Sequence, residues 1–472
     1  MKRILFIIIS LSNISLSQAQ IPTLLGLTTA GGDSAGGMLY KINGDGTGWT
    51  ALHSFCPSAG YNPTGTLVDG GNGLLYGTTS LGGSNGKGGL FSFDPVSNIF
   101  SSVTNFDSIN GFNPCNNILK ASDGKLYGTM FQGGMYNFGV MYSFDPVSNN
   151  YHKVFDFNDT VGAIIAPPYT GLPDIGVTLM QATDGNIYGI TPNGGMNSSG
   201  TLFKFNISDS TFTKLYDFEP IGGTMGQAPL GNLLQLSNGK FLGVASTGGN
   251  YGYGTIFSFD INNNQFVKLF DVSDTNSMNP NGLAIGPNGL VYGIYQLGRS
   301  AGGYIFTFDL NQSTMMDVYN FDYVSGYAPN QNLLLGSDNN FYGTTHWGGT
   351  NGTVFKFDPL SNTYTILYDF PCAHITGAVP SAGLMELGSS VNNIHPISKS
   401  EAPVKVYPNP CVSNLTVQSS SELGAICIYD TMGKIVFSMN STNAKEQIDL
   451  SKFPPGIYLL KAKEGFSRIV IE

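Results

Sequence analysis

Apolar residues alternate with small polar ones in short runs along the chain, and the runs are cut by Asp-Gly, Asn-Gly, Asp-Pro and glycine-rich stretches. Such alternation predicts half-buried strands joined by tight turns. Residues 63 to 107 show one complete cycle. Pro63-Thr64-Gly65-Thr66-Leu67-Val68 predicts a strand, Asp69-Gly70-Gly71-Asn72-Gly73 a tight turn, and Leu74-Leu75-Tyr76-Gly77-Thr78-Thr79 a second strand. After a glycine-rich loop, Gly89-Leu90-Phe91-Ser92-Phe93 predicts a third strand, Asp94-Pro95-Val96-Ser97-Asn98 a turn, and Ile99 to Phe106 a fourth. At period two, Tyr76 and Thr78 face one side while Gly77 and Thr79 face the other, where the missing side chain is expected to let neighbouring sheets approach.

The glycine of this second strand returns as Gly26, Gly77, Gly128, Gly189, Gly243, Gly293 and Gly343, at intervals of 51, 51, 61, 54, 50 and 50 residues. A period of that size marks a repeat array whose units pack only on their neighbours, and four strands per unit is a propeller blade. The first copy, Leu24-Leu25-Gly26-Leu27-Thr28-Thr29, lacks the strand that precedes it elsewhere. After the seventh copy, Pro380-Ser381-Ala382-Gly383-Leu384 repeats the pattern of Pro63 to Leu67 with no Tyr-Gly to follow. The expected architecture is an all-β, seven-bladed propeller whose first blade is closed by a C-terminal strand, which removes open sheet edges.

Composition and termini divide the chain further. Lys2-Arg3, the apolar run Ile4 to Leu11 and Ser17-Gln18-Ala19 read as a signal peptide over 1–19. The propeller is expected over 22–388, a linker over 389–403, and a strand-rich module over 404–472. Residues 21 to 400 carry 12 Lys plus Arg against 24 Asp plus Glu, and 401 to 472 carry 7 of each. That acidic balance argues against nucleic acid and anionic membranes as partners, and no run is long enough to span a membrane. The five cysteines show no CxxC spacing, which leaves zinc unsupported. Cys56 and Cys372, just after the last strands of their repeats, are placed for a bridge that helps fasten a ring, with free thiols the alternative.

The recurring Leu-Tyr-Gly-Thr-Thr-x-x-Gly-Gly core, the following Leu-Phe-x-Phe-Asp and the Phe-x-x-x-x-Gly-x-x-Pro linker resemble the GloVer tandem repeats of exported bacterial proteins, over about 22 to 388. That resemblance implies a propeller-like array outside the cell and brings no general activity with it. Val406-Tyr407-Pro408-Asn409-Pro410, Ile426 to Lys434 and Pro455-Gly456-Ile457-Tyr458-Leu459-Leu460 resemble the type A C-terminal sorting domain of the Bacteroidetes type IX secretion system. The resemblance implies an Ig-like β-sandwich that engages the secretion machinery, and a protein released or held at the outer surface.

Propeller geometry puts the Gly-Gly loops and the blade-to-blade linkers on one face, the default ligand site. Residues there that break the small-polar pattern are Phe131 and Tyr136, Tyr251 and Tyr253, Tyr295 and Arg299, His346 and Trp347, and His374. Aromatic rings beside short polar groups suit the C–H faces and hydroxyl edges of sugars, and suit peptides too. These nine are the expected ligand-binding residues, for an extracellular glycan or protein, and rings covering blade junctions are the alternative. No catalytic residue, metal or cofactor is indicated: GxSxG and HExxH are absent, and Asn43-Gly44-Asp45-Gly46-Thr47 reads better as a turn than as a calcium loop. A polysaccharide-active enzyme and a structural surface component remain the competing functions.

Overall fold

The structure is a computed structural model and describes residues 21–164, 178–273, 278–297, 302–330, 333–371, 377–380, 383–388 and most of 405–471. The signal-peptide stretch 1–19 and the linker 389–403 lie outside the described residues, as do Arg299, Cys372 and His374. The chain falls into two compact units, 1–394 and 395–472.

In the first unit, antiparallel four-stranded sheets follow one another along the chain. The second sheet is typical, with Tyr61–Asp69, Leu75–Leu81, Gly89–Asp94 and Ile99–Asn105 hydrogen-bonded in that order. The third begins at Phe112–Lys120 and ends at Asn150–Asp156. The fourth runs from Met180–Gln181 to Thr211–Asp217, the fifth from Gln227–Gln235 to Gln265–Asp271, and the sixth from Met278–Ile285 to Thr314–Asn320. In the seventh, two short pieces, Tyr327–Pro329 and Leu334–Leu335, share the place of the first strand beside Phe341–Trp347. The first sheet is the exception: Thr23–Thr28, Met38–Asn43 and Thr50–Ser54 are completed by Met385–Glu386, with Leu24 opposite Glu386 and Leu25 opposite Met385. The C-terminal closing strand expected from the sequence is therefore present.

Each pair of successive sheets buries its own apolar cluster. Leu25, Leu39 and Phe55 of the first sheet meet Leu67, Phe91 and Phe93 of the second, and the pattern continues to Tyr292, Ile294 and Ile305 of the sixth against Phe341 and Phe355 of the seventh. The last cluster joins Tyr342, Val354 and Phe370 of the seventh sheet to Leu24, Tyr40 and Ile42 of the first, so the sheets form a closed ring. Rings on the outer strands stack across several of these joints: Phe155 on Phe212 at 3.9 Å, Tyr319 on Tyr364 at 4.0 Å, and, at the closing joint, Trp49 on Tyr368 at 5.1 Å.

The repeated Tyr-Gly pair has two separate structural causes. Each tyrosine reaches back four residues to the turn before it: Tyr127 donates to Asp123, Tyr188 to Asp184 and Tyr342 to Asp338 at 2.7 to 2.9 Å, while Asn72 and Asn288 donate to Tyr76 and Tyr292. Each glycine sits opposite an aromatic residue of the next strand in its own sheet, as Gly77 does opposite Phe91. A Cβ on Gly77 would lie 2.4 Å from Phe91 Cζ, and one on Gly128 2.3 Å from the Tyr142 hydroxyl. The expectation that this glycine lets neighbouring sheets approach is thus corrected. It makes room for a ring of the next strand within the same sheet, which packs close over the bare backbone.

The second unit contains two antiparallel sheets. Lys405–Tyr407, Asn414–Gln418 and Lys445–Asp449 form one; Ile435–Ser441, Gly424–Tyr429, Gly456–Ala462 and Gly465–Ile471 form the other. Leu415, Val417 and Ile448 of the first share one core with Ile426, Ile428, Leu460 and Ile469 of the second.

Candidate functional site

The face carrying the Gly-Gly loops is built by a repeated set of clamps. The residue after each Gly-Gly pair donates its backbone N–H to a side chain at the end of the fourth strand: Ser84 to Asn105, Met135 to Asp156, Met196 to Asp217, Asn250 to Asp271 and Thr350 to Asp369, all at 2.8 to 2.9 Å. The second glycine of the pair donates to the linker that precedes the sheet, as Gly134 does to Ser108 and Gly349 to Tyr323, both at 3.0 Å. The linkers are latched as well. Asn62, Ala228, Ala328 and Val379, each just before a proline, adopt positive φ of 46 to 57° and donate to the Gly-rich loop of the preceding sheet, Ala328 to Gly302 at 2.7 Å and Val379 to Asn351 at 2.9 Å. A β-branched valine in that conformation is strained, and only the surrounding bonds at the closing joint hold it there.

Three consecutive sheets add a lysine to this clamp. Lys153, Lys214 and Lys268 pair with Asp156, Asp217 and Asp271 three residues on, at 2.7 to 2.8 Å. The same ammonium groups donate to linker carbonyls of Ile109, Thr160 and Thr224. In the seventh sheet Ile366 stands in the lysine's place, so Asp369 has no basic partner among the described residues.

The expected ligand-binding residues separate into distinct groups on this scaffold. Trp347 ends its strand with its side chain 47% exposed. His346 beside it is 4% exposed and meets the indole edge-on, with centroids 4.7 Å apart and planes at 78°. Burial pulls the His346 imidazole down to about 4, so at neutral pH it is uncharged and acts as a wall for the tryptophan. Tyr136 and Tyr251 are exposed, and Tyr253 is partly buried against the fifth and sixth sheets. Tyr136 borders an open cleft of about 440 Å³ with Met135, Lys153, Asp156, Asn158 and Val161.

Two of the expected residues are corrected. Phe131 packs with Phe157, Ile164 and Leu179 between the third and fourth sheets, and Tyr295 lies fully buried, its hydroxyl donating to Met315 Sδ at 3.1 Å. Both belong to strands, because the second strand of a sheet continues up to the Gly-Gly pair. Arg299 and His374 lie outside the described residues. Cys56 is a free thiol near the Ser58 hydroxyl, the alternative that the sequence left open beside a bridge to Cys372, which lies outside the described residues. Asp45 accepts from the backbone and hydroxyl of Thr47, so the calcium-like stretch is the turn that the sequence favoured.

The sequence reading missed Tyr323 and Tyr327. Tyr327 is the cross-strand partner of Trp347, and Tyr323 stacks on it in parallel with centroids 4.7 Å apart and planes at 7°. Tyr323 is exposed and Tyr327 half-buried; burial and the neighbouring Tyr323 push the Tyr327 phenol up. Asp322 fixes this linker by accepting from the N–H of Val324 and of Ser325 and from the Ser325 hydroxyl. Bonds from Ser325 hold its carboxyl below the usual range. The signal was present in Asp322-Tyr323-Val324-Ser325-Gly326-Tyr327, where one linker carries two aromatics four residues apart.

Residues 12–176 and 175–395 each match the Gloeobacter/Verrucomicrobia repeat, and together they span most of the chain. The chain belongs to the Gloeobacter/Verrucomicrobia repeat family. In this repeat protein, residues 405–472 also match the secretion system C-terminal sorting domain, which marks the protein for the type IX secretion system and so for secretion or the cell surface. Among the described residues no helix is long and apolar enough to cross a membrane. No curated protein matches the chain in sequence. Solved structures share the ring of four-stranded sheets at low identity. A Bacteroides fragilis protein assigned as a 6-phosphogluconolactonase is 15% identical, with 77% of this chain and 97% of that one covered and a TM-score of 0.53. A Lactobacillus plantarum protein is 14% identical over 78% and 100%, with a TM-score of 0.53. The periplasmic gluconolactonase of Pseudomonas aeruginosa is 15% identical over 77% and 98%, with a TM-score of 0.50. At these identities the likeness establishes a propeller-like fold alone.

Proposed function

We propose that the repeat unit is a seven-bladed propeller that, once exported, binds an extracellular ligand through its long-loop face, centred on Trp347. One apolar cluster per joint, each between neighbouring sheets and the last between seventh and first, supports the blade count. The C-terminal unit, with two sheets around one core, serves as the Ig-like sandwich that the secretion machinery reads.

The observation that carries the binding proposal is the half-exposed Trp347 beside its cross-strand partner Tyr327. Aromatic surface of that kind costs free energy in water and is enriched where a ligand covers it. The test is to titrate the exported protein, lacking its leader, with panels of extracellular glycans and of surface proteins. The readout is isothermal titration calorimetry, whose signal does not depend on the residue replaced. Saturable binding that falls at least tenfold with Trp347→Ala is expected, and binding that the substitution leaves unchanged refutes the site.

A further inference from the structure

We infer that the ligand of the seventh sheet is a neutral pyranose glycan, held by stacking on Trp347 and Tyr323 and by hydroxyl contacts to the carboxylates of Asp322 and Asp369; this inference rests on the Trp347 reading above.

Three features carry it. Trp347 and Tyr323 present exposed ring surface fixed from behind, the first by the edge-on His346 ring and the second by the parallel Tyr327 ring. Pyranose rings offer a flat C–H face that matches such surfaces, and preorganised rings lose little side-chain freedom when they are covered. Tyr323 and Asp369 are both tied to the loop that follows Trp347, since Gly349 donates to the Tyr323 carbonyl while Thr350 donates to Asp369.

The second feature is the carboxylate itself. On the third, fourth and fifth sheets the equivalent aspartate is neutralised by a lysine at 2.7 to 2.8 Å. Asp369 has Ile366 there instead, and among the described residues only Thr350 hydrogen-bonds to its carboxylate, through its N–H at 2.8 Å and its hydroxyl at 3.4 Å. An ionised carboxylate accepts several hydrogen bonds, so acceptor sites are left over for the paired hydroxyls of a sugar.

The third feature is local charge. Between residues 321 and 380 the sole Lys or Arg is Lys356, and it faces Tyr342 across the sheet, toward the opposite set of turns; Arg299 of the preceding Gly-rich loop lies outside the described residues and is not part of this count. Asp322 and Asp369 together therefore repel uronates, sulfated sugars and other anionic polymers, while uncharged hydroxyls meet no such penalty.

Trp347 and Trp49 are the two tryptophans, and Trp49 is stacked on Tyr368 away from the long-loop face, so Trp49→Phe leaves Trp347 as the reporter. Wild-type protein is run in parallel in case the replacement loosens the closing joint. Neutral glucan, mannan and xylan oligosaccharides are expected to shift and quench Trp347 emission. Alginate, pectate and heparin fragments are expected to bind at least tenfold more weakly at low salt. Asp369→Asn keeps the acceptor that holds the loop, as Asn105 does for Ser84 in the second sheet, and is expected to narrow the difference between neutral and anionic glycans. Tighter binding of an anionic glycan or of a protein, still dependent on Trp347, overturns the sugar class and leaves the Trp347 site standing. No change at Trp347 with any ligand overturns both.

Discussion

The third to fifth sheets and the seventh sheet use one loop scaffold in opposite ways. On the former, Lys153, Lys214 and Lys268 tie the Gly-rich loop, the linker and the last strand into one ion-paired knot. On the latter the lysine is absent, the aspartate keeps its loop contact, and the space beside it carries Tyr323, Tyr327 and Trp347. The same backbone can therefore be locked for stability or opened for contact by changes at positions that do not shape the fold. Function in such an array is to be sought where the clamp is incomplete, since the complete clamp consumes its own polar groups.

That comparison assumes a common core, and the largest expected effect tests the assumption. Gly243→Ala and Gly343→Ala place a Cβ 2.4 Å from Phe257 Cζ and Phe355 Cζ. Each is expected to destabilise the protein by about 3 kcal/mol, the upper range for forcing a packed ring to move. Thermal or denaturant unfolding measures it. Equal losses in the fifth and seventh sheets support a shared core; a much smaller loss in the seventh would mean that its sheet is built differently and that the comparison fails.

Acid should single out the seventh sheet next. His346 is held neutral with its value lowered to about 4 from the ordinary 6.5, so the unfolded chain binds more protons than the folded one between those values. Stability is then unaffected at neutral pH, falls as pH drops below about 6.5, and levels off below about 4, a loss on the order of 2 kcal/mol. Phe131 fills the corresponding position of the third sheet. His346→Phe is accordingly expected to fold and to remove this part of the acid sensitivity, and an unaltered pH profile would place the sensitivity elsewhere.

The lysine knots predict a smaller effect. The Lys214 and Asp217 side chains are 26% and 21% exposed, so the pair contributes more than a surface ion pair and less than a buried one. Lys214→Met is expected to cost about 1 kcal/mol. Amide exchange should quicken at 158–162 and 195–197, where the linker and loop lose their tie. Exchange that quickens uniformly over the ring would show that the knot acts globally.

The sequence made the scaffold readable because a packing pattern is needed in every sheet. The spacing of Gly26 to Gly343 and the displaced closing strand near Leu384 could be read from repetition alone. What the Tyr-Gly pair does could not, because the partner of Gly77 is a ring on the next strand, beyond the Gly-rich loop, that only strand register brings opposite. Phe131 and Tyr295 looked like loop residues because the end of a strand leaves no mark when a glycine-rich loop follows. Tyr323 was passed over for the converse reason: it stands where other linkers carry Pro57, Ser108 or Asp159, and its stacking on Tyr327, which takes the place of Tyr61 and Phe112, depends on a turn set by Asp322. Trp347 and His346 were legible as exceptions to the repeat, although the burial that separates their roles was not.

The most delicate prediction converts one region toward the other. Ile366 is 40% exposed and occupies, opposite Phe355, the position that Lys214 holds opposite Phe203 and Lys268 opposite Phe257. Ile366→Lys places an ammonium within reach of Asp369 and of the linker around Val324. Stability should rise by only a few tenths of a kcal/mol, because a half-exposed ion pair gives back much of its gain in side-chain entropy and solvent screening. The sharper readout is local: amide exchange at 322–327 should slow, as a knotted linker would, and glycan binding through Trp347 should weaken because Asp369 is now occupied. If exchange slows while binding is untouched, Asp369 holds the loop and does not contact the ligand, and the contrast between locked and open sheets is then one of rigidity rather than of recognition.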